Sequence, residues 1–197
     1  MYDDSINIWQ LVDGANWEFP LGKLKTIASH NHPVTQVSWN DALAYCKFCD
    51  KTLPSEVQWE YAASERGQKK NQLFYWGNDL LVNDKYMCNT WNSGYPNTIG
   101  FQDGFKYTSP IGHFEANSLG IFDMAGNVWE WCYNWHLPYE GNLQIFPTDL
   151  KGKAQRGGSF LCNSNYCHGF RLSARSATSP ESSLFHVGFR CVKNITN

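Results

Sequence analysis

The chain has 197 residues, 16 Lys+Arg against 18 Asp+Glu and a formal net charge of −2, so its size suits one domain with one core and its charge gives no footprint for nucleic acid. Aromatic residues reach 16% while charged residues stop at 17%, and 16 Gly with 8 Pro interrupt the chain often, which argues against a helical bundle and for a compact, loop-rich fold of short strands. No apolar run approaches a membrane span and mean hydropathy is −0.48, so no membrane partner is expected.

The N-terminal MYDDSINIWQL has neither a basic n-region nor an apolar h-region and does not read as a signal peptide. In VSWNDALAYCKFC, Ser38 can cap a helix with Asp41 at its third position, and Leu43, Cys46 and Phe48 then fall near one buried side. Cys46 and Cys49 form a single CxxC on that helix, with no second half to complete a zinc site. In LPSEVQWEYAAS, Ser55 caps a second helix, Gln58 completes a capping box, and Trp59, Ala62 and Ala63 recur at helical spacing. From about residue 70 to 150, turn residues come every few positions; strands are expected in the tail, around RGGSFLC, GFRLSAR and HVGFRCVK. The pattern is α+β.

Oxygen-rich turns are the first chemical signal. In DMAGNVWEW (123–131), Asp123 and Glu130 bracket a turn at Ala125-Gly126-Asn127 whose carbonyls can converge with the carboxylates on a hard cation such as Ca²⁺. The spacing is not that of an EF-hand, and on spacing alone a capped turn with Glu130 paired to an arginine is the better reading. NTWNSGYPNTIGFQDGF offers Asn89 and Asp103 in a second, weaker set. Six histidines, at 30, 32, 113, 136, 168 and 186, fall in no metal-binding helix pattern and read as surface residues; His168 adjoins Cys167.

The second signal is GGSFLCNSNYCHGFR (157–171), where Cys162 and Cys167 sit five apart in a polar, glycine-flanked stretch. Three readings stand: a short-loop disulfide, which removes little chain entropy; a thiolate pair for Cu(I), a metal content with few soft ligands; or a redox couple. Spacing favours the disulfide and cannot separate the three.

Taken together, GANW, HPVTQVSWNDALAYC, LPSEVQWEYAA, FYWGN, NSLGIFDMAGNVWEW, RGGSFLCNSNYC, RLSARS and HVGFRC resemble the formylglycine-generating enzymes, or sulfatase-modifying factors. The resemblance runs almost throughout the chain. GNVWEW, RGGSF and GFRC belong to the wider superfamily, whereas the cysteine pair is selective for catalytic members.

The resemblance implies a loop-rich α+β fold, low in regular secondary structure: a divergent C-type-lectin-like domain over 1–197 with two helices and small antiparallel sheets. It implies a copper-dependent oxidase that uses O₂ to convert a cysteine, in a Cys-x-Pro-x-Arg segment of an unfolded sulfatase, to Cα-formylglycine. Cys162 and Cys167 would hold Cu(I); Ser159, Tyr166 and Trp129 would line the pocket; Arg175 and Trp9 would face the substrate. Two structural Ca²⁺ sites map onto Asn89, Thr90, Asp103 and Phe105, and onto Asp123, Gly126, Val128 and Glu130, with Asp123 standing where an asparagine is common. Cys46 and Cys191 match a family disulfide, a second one is absent because Ala63 and Leu172 occupy its positions, and Cys49, Cys88 and Cys132 read as buried thiols. A monomer is expected.

Family members carry a substantial stretch before the region matching INIWQLVDGANW, so the chain is expected to lack the N-terminal portion of the domain, and Ile8-Trp9 replaces paired aromatics common there. The alternative is therefore a catalytically silent, calcium-stabilised lectin-like binding module of the same family. Iron-dependent sulfoxide synthases share the fold but need a separate histidine-bearing helical domain. The compartment stays open: a secretory lumen such as the endoplasmic reticulum if eukaryotic, which Cys46–Cys191 and a sequon at Asn194 would suit, or the cytoplasm if bacterial.

Overall fold

The computed structural model describes strand backbone at residues 2–3 and 8–9, and residues 9–23, 25–92, 101–138 and 152–193 in full; the Asn194 sequon lies outside them. In chain order the elements are β1 (Tyr2–Asp3), β2 (Ile8–Trp9), α1 (Trp39–Phe48), α2 (Glu56–Ala63), β3 (Leu81–Val82), β4 (Lys85–Tyr86), β5 (Trp129–Trp135), β6 (Lys153–Arg156), β7 (Ser176–Thr178) and β8 (Val187–Gly188). Among the described residues no helix is long and apolar enough to cross a membrane.

Both expected helices form where their caps place them. Ser38 accepts from the Asp41 amide while Asp41 Oδ2 accepts from the Ser38 amide at 2.9 Å; Ser55 and Gln58 repeat the exchange on α2, the return bond at 2.8 Å. Each cap contributes about 1 kcal/mol. Helix α1 buries Ala42 and Cys46, one turn apart, and Leu43 is half-buried. Phe48 departs from expectation: it stands two residues past Cys46, about 200° round the helix, and is 88% exposed.

The main sheet has the order β7-β6-β5-β8. β5–β6 and β6–β7 pair antiparallel, whereas β8 joins the β5 edge in parallel, with Trp129 opposite Val187 and Glu130 opposite Gly188. One parallel pairing thus enters sheets that were expected to be antiparallel. Strand β5, WEWCYNW, is the longest among the described residues, and its Glu130, Trp131 and Cys132 are all buried. Helix α2 packs across β5 and β6 and seals a core of Trp59, Phe74, Met124 and Phe170; a second core of Ala42, Leu53, Trp131 and Val187 lies under α1, and Trp129 touches both.

A charged network joins α2 to the sheet. Arg156, fully buried on β6, donates to Glu56 at 3.1 Å, to Glu60 at 2.6 Å and to the Leu172 carbonyl. Arg175 closes on Glu56 through Nε and through Nη2, the latter at 2.8 Å. Burial works against the Glu56 charge, but the two arginines outweigh it and hold the carboxyl below its ordinary range. Removing one member would leave uncompensated charge in the interior.

The tail strands are shorter than the sequence suggested. β6 stops at Arg156 because Gly157 and Gly158 both take left-handed φ, 93° and 73°. A Cβ on Gly158 would sit 2.5 Å from the Phe170 amide nitrogen, so only glycine lets the chain turn back against residues 169–170. That double-glycine turn delivers Ser159 and Cys162 to the site.

Candidate active site

After the glycines the chain makes two linked turns. The Cys162 amide donates to Ser159 O at 2.9 Å, and the amides of Tyr166, Cys167 and His168 all converge on Asn163 O at 3.1–3.3 Å. Asn163, buried, donates from Nδ2 to Trp91 O at 2.7 Å, and the Trp91 amide returns a bond to Cys162 O at 2.9 Å. His168 completes the turn at φ 49°. This winding puts Cys162 inside, 3% exposed, and Cys167 at the surface.

The two sulfurs face one another. The Cys162 thiol donates to Cys167, which holds Cys167 down to about 6 against the cost of its partial burial, with the Gly169 and Asn163 amides adding to the effect. The same hydrogen bond and burial push the Cys162 thiol well up, while the Ser159 amide opposes from 3.4 Å. The pair therefore shares one proton: a buried thiol beside an accessible thiolate.

The remaining expected residues divide into those beside the sulfurs and those apart. Ser159 Oγ lies 4.0 Å from Cys162 Sγ. A Cβ added to Gly169 would lie 2.5 Å from Trp129 Cζ2 and 2.7 Å from Cys162 Sγ, so only glycine lets the Trp129 ring and the buried sulfur pack this closely against the backbone at 169. Tyr166, directly before Cys167, is 74% exposed. Trp9 lies on the same flank one step removed, its ring 5.2 Å from that of His186, whose carbonyl takes the Trp129 amide at 2.9 Å. Arg175 sits in the Glu56 network and donates to Leu137 O at 3.0 Å. Asn163 and Gly169 were not anticipated; an Asn directly after Cys162 and a Gly two after Cys167 were the signals available. His186, expected at the surface, is buried, and burial pulls it down to about 4.

The first oxygen set fits a hard cation. Asn89 is fully buried; its Nδ2 donates to Tyr107 O at 2.7 Å, but its Oδ1 has no partner among the described residues. Asp103 accepts from the Thr90 amide at 2.9 Å and the Phe105 amide at 3.1 Å, and burial raises its carboxyl above the ordinary range. A half-buried carboxylate bonded to the residue after an orphaned, buried amide oxygen is a donor set that Ca²⁺ satisfies. In the second set, Arg190 already faces Glu130 with two bonds of 2.6 Å, Trp59 Nε1 adds a third at 2.6 Å, and Arg190 also reaches Phe122 O at 3.1 Å. That is the capped turn with a paired arginine which the spacing favoured. Asp123, raised by burial, accepts from the Gly112 amide at 2.8 Å. A cation joining Asp123, Gly126 and Val128 would share Glu130 with Arg190. Among the described residues no three His, Cys, Asp or Glu side chains cluster as metal ligands, so any ion here would rest on two side chains with or without carbonyls.

Cysteine placement corrects one expectation. Cys88 and Cys132 are buried, but Cys49 is half-exposed. The Cys46 and Cys191 sulfurs lie 2.8 Å apart as thiols.

The fold is α+β and C-type-lectin-like, and it matches solved structures of similar architecture. PvdO from Pseudomonas aeruginosa aligns with TM-score 0.62 and 24% identity over 84% of this chain and 62% of that one. Treponema denticola variable protein 1 aligns with TM-score 0.65 and 19% identity over 89% and 76%. The sequence is more specific. The family described as the sulfatase-modifying factor enzyme 1-like domain matches residues 2–195, and the chain belongs to that family. It is 41% identical to the formylglycine-generating enzyme of Mus musculus over 93% of this chain and 50% of that one, and 40% identical to that of Thermomonospora curvata over 93% and 63%. It is also 34% identical to the inactive C-alpha-formylglycine-generating enzyme 2 of Mus musculus, over 96% and 58%. The chain thus spans about half to two thirds of the length of these relatives, and the family includes members named as active and as inactive.

Proposed function

We propose that this domain carries the cysteine-oxidising site of a formylglycine-generating enzyme, acting with O₂ on a Cys-x-Pro-x-Arg segment of an unfolded sulfatase polypeptide, with Cu(I) held by Cys162 and Cys167. The observation that carries the reading is the facing sulfur pair, one accessible and low in pKa, the other buried against Gly169 and the Trp129 ring. Bound there, Cu(I) supplies a soft centre for a substrate thiolate and the means of activating O₂. The protein's own part follows from its geometry. Cys167 presents a thiolate near neutral pH, Cys162 gives up its single proton on metal binding, and the Trp129 ring shields the buried sulfur from water. Calcium at Asn89, Thr90, Asp103 and Phe105 has a structural role, ordering a loop that leads through Trp91 to the Cys162 turn.

The test uses a Cys-x-Pro-x-Arg peptide with Cu(I), a reductant and air, read by mass spectrometry. A mass change from thiol to aldehyde is expected, lost in both Cys162→Ser and Cys167→Ser. An unchanged peptide with copper-loaded protein would support the silent binding module, for which the inactive relative is a precedent.

A further inference from the structure

A third thiol stands beside the Cys46–Cys191 pair, and no part of the proposed oxidase chemistry uses it. Cys49 is the C-cap of α1, its amide bonded to Cys46 O at 3.1 Å, three residues from Cys46 on the same helix face. Cys46 is fully buried, whereas Cys49 is half-exposed between the exposed Lys47 and Lys51 and next to the exposed Phe48. The Tyr45 hydroxyl donates to Cys49, which raises the Tyr45 pKa. Cys191 is fixed from the other side: Thr52 and Val192 exchange both backbone bonds, at 2.9 and 2.8 Å, which seats Cys191 against α1.

We propose that Cys49 is a thiol–disulfide exchange site at which a low-molecular-weight disulfide of the glutathione class enters, the oxidation then passing inward to Cys46 and on to Cys191. In the first step the Cys49 thiolate attacks one sulfur of RSSR; a Cys49–SR bond forms, the RS–SR bond breaks, and the leaving thiolate takes a proton from water. Cys46, its proton released to water, attacks Cys49 Sγ, forming Cys46–Cys49 and expelling the second thiol. Cys191, its proton likewise released to water, then attacks Cys46 Sγ, forming Cys46–Cys191, breaking Cys46–Cys49 and returning Cys49 as a thiolate. The net change oxidises two protein thiols, reduces one disulfide to two thiols, and leaves Cys49 as it began.

Three features assign the entry point. Cys46 cannot meet a solution disulfide because it is fully enclosed, and burial pushes its thiol up to about 12, so it reacts only with a neighbour held in place. Lys47 and Lys51 flank Cys49, and the adjacent Asp50 is paired with Lys193 at 3.4 Å, which leaves a net positive rim that suits an anionic tripeptide disulfide. The i, i+3 step on a helix brings Cα atoms within the range a disulfide spans.

The experiment exposes the fully reduced protein to glutathione disulfide, quenches with acid and iodoacetamide at intervals, and maps every cysteine by peptide mass spectrometry, which separates this site from Cys167. Wild-type protein should show glutathione first on Cys49 and later a Cys46–Cys191 crosslink with Cys49 free. Cys49→Ser should slow that crosslink at least tenfold with an unchanged thermal midpoint, with Cys49→Ala as a second variant. Cys191→Ser should stop at Cys46–Cys49, and Cys46→Ser should keep the glutathione adduct on Cys49. A crosslink at wild-type rate in either Cys49 variant, or a first adduct on Cys191, would overturn the proposal.

Discussion

At Cys162 and Cys167 a buried thiol donates to an exposed partner held down to about 6, whereas at Cys46 and Cys191 the sulfurs lie 2.8 Å apart and burial pushes Cys46 up to about 12. Both pairs bring two sulfurs face to face, so proximity alone does not determine their chemistry. The difference lies in the backbone. The 162–167 pair sits on a turn whose amides, at Asn163 and Gly169, point toward the outer sulfur and stabilise negative charge. The 46–191 pair joins a helix to a bridged terminal segment and lies against a closed apolar core. An accessible thiolate and an enclosed thiol thus arise from the same side chain under different access and hydrogen bonding.

The sharpest way to break the comparison is alkylation. At pH 7 Cys167, held down to about 6, is largely thiolate, whereas Cys46, pushed up to about 12 by burial, stays a thiol. Iodoacetamide followed by peptide mapping should label Cys167 rapidly and Cys46 only on unfolding. The Cys167 rate should be level above pH about 6 and fall as pH drops through it, because the reactive form is the deprotonated one. Equal rates at the two cysteines would erase the distinction.

Disturbing the close packing at Gly169 should be next in size. In Gly169→Ala the new methyl would meet the Trp129 ring and Cys162 Sγ, and Cu(I) affinity should fall at least tenfold while the Cys46 environment is untouched. Competition with a copper chelator checks this. Arg156→Met should then cost about 3–5 kcal/mol in denaturant unfolding, since it leaves buried Glu56 with Arg175 alone, and should weaken both regions together. The smallest effect is expected from calcium: a chelator, or Asp103→Ala, should lower the thermal midpoint by about 4 °C, equivalent to about 1 kcal/mol, and act on the 162–167 side through Trp91.

The helices were legible because their caps are local: Ser38 with Asp41, and Ser55 with Gln58, need only a three-residue spacing. Strand β5 was missed although WEWCYNW alternates, with aromatics at 129, 131, 133 and 135; the reading followed the adjacent Ala125-Gly126-Asn127 turn, and Glu130 and Cys132, on the face that should meet water, are buried as well. The reverse error came at RGGSFLC and GFRLSAR, where apolar residues beside glycine suggested strands; Gly157 and Gly158 instead turn the chain, and β7 begins only at Ser176. At the site, the cysteine pair was visible as a motif, but the hydrogen bond between its members and the packing of Cys162 with Trp129 on Gly169 depend on contacts made only in three dimensions. Glu130 carries the same lesson, since its partner Arg190 lies 60 residues away and only a resemblance or a structure could supply it.

The most direct measurement is a Cu(I) titration of wild type and Cys167→Ser in anaerobic buffer against a chelator of known affinity, with X-ray absorption on the loaded protein. One ion per chain, bound by two sulfur neighbours and lost in Cys167→Ser, is the predicted result. Binding that survives the substitution, or a wild-type protein that takes up no Cu(I) in competition with the chelator, would contradict the assignment of Cys162 and Cys167 as a copper-holding pair.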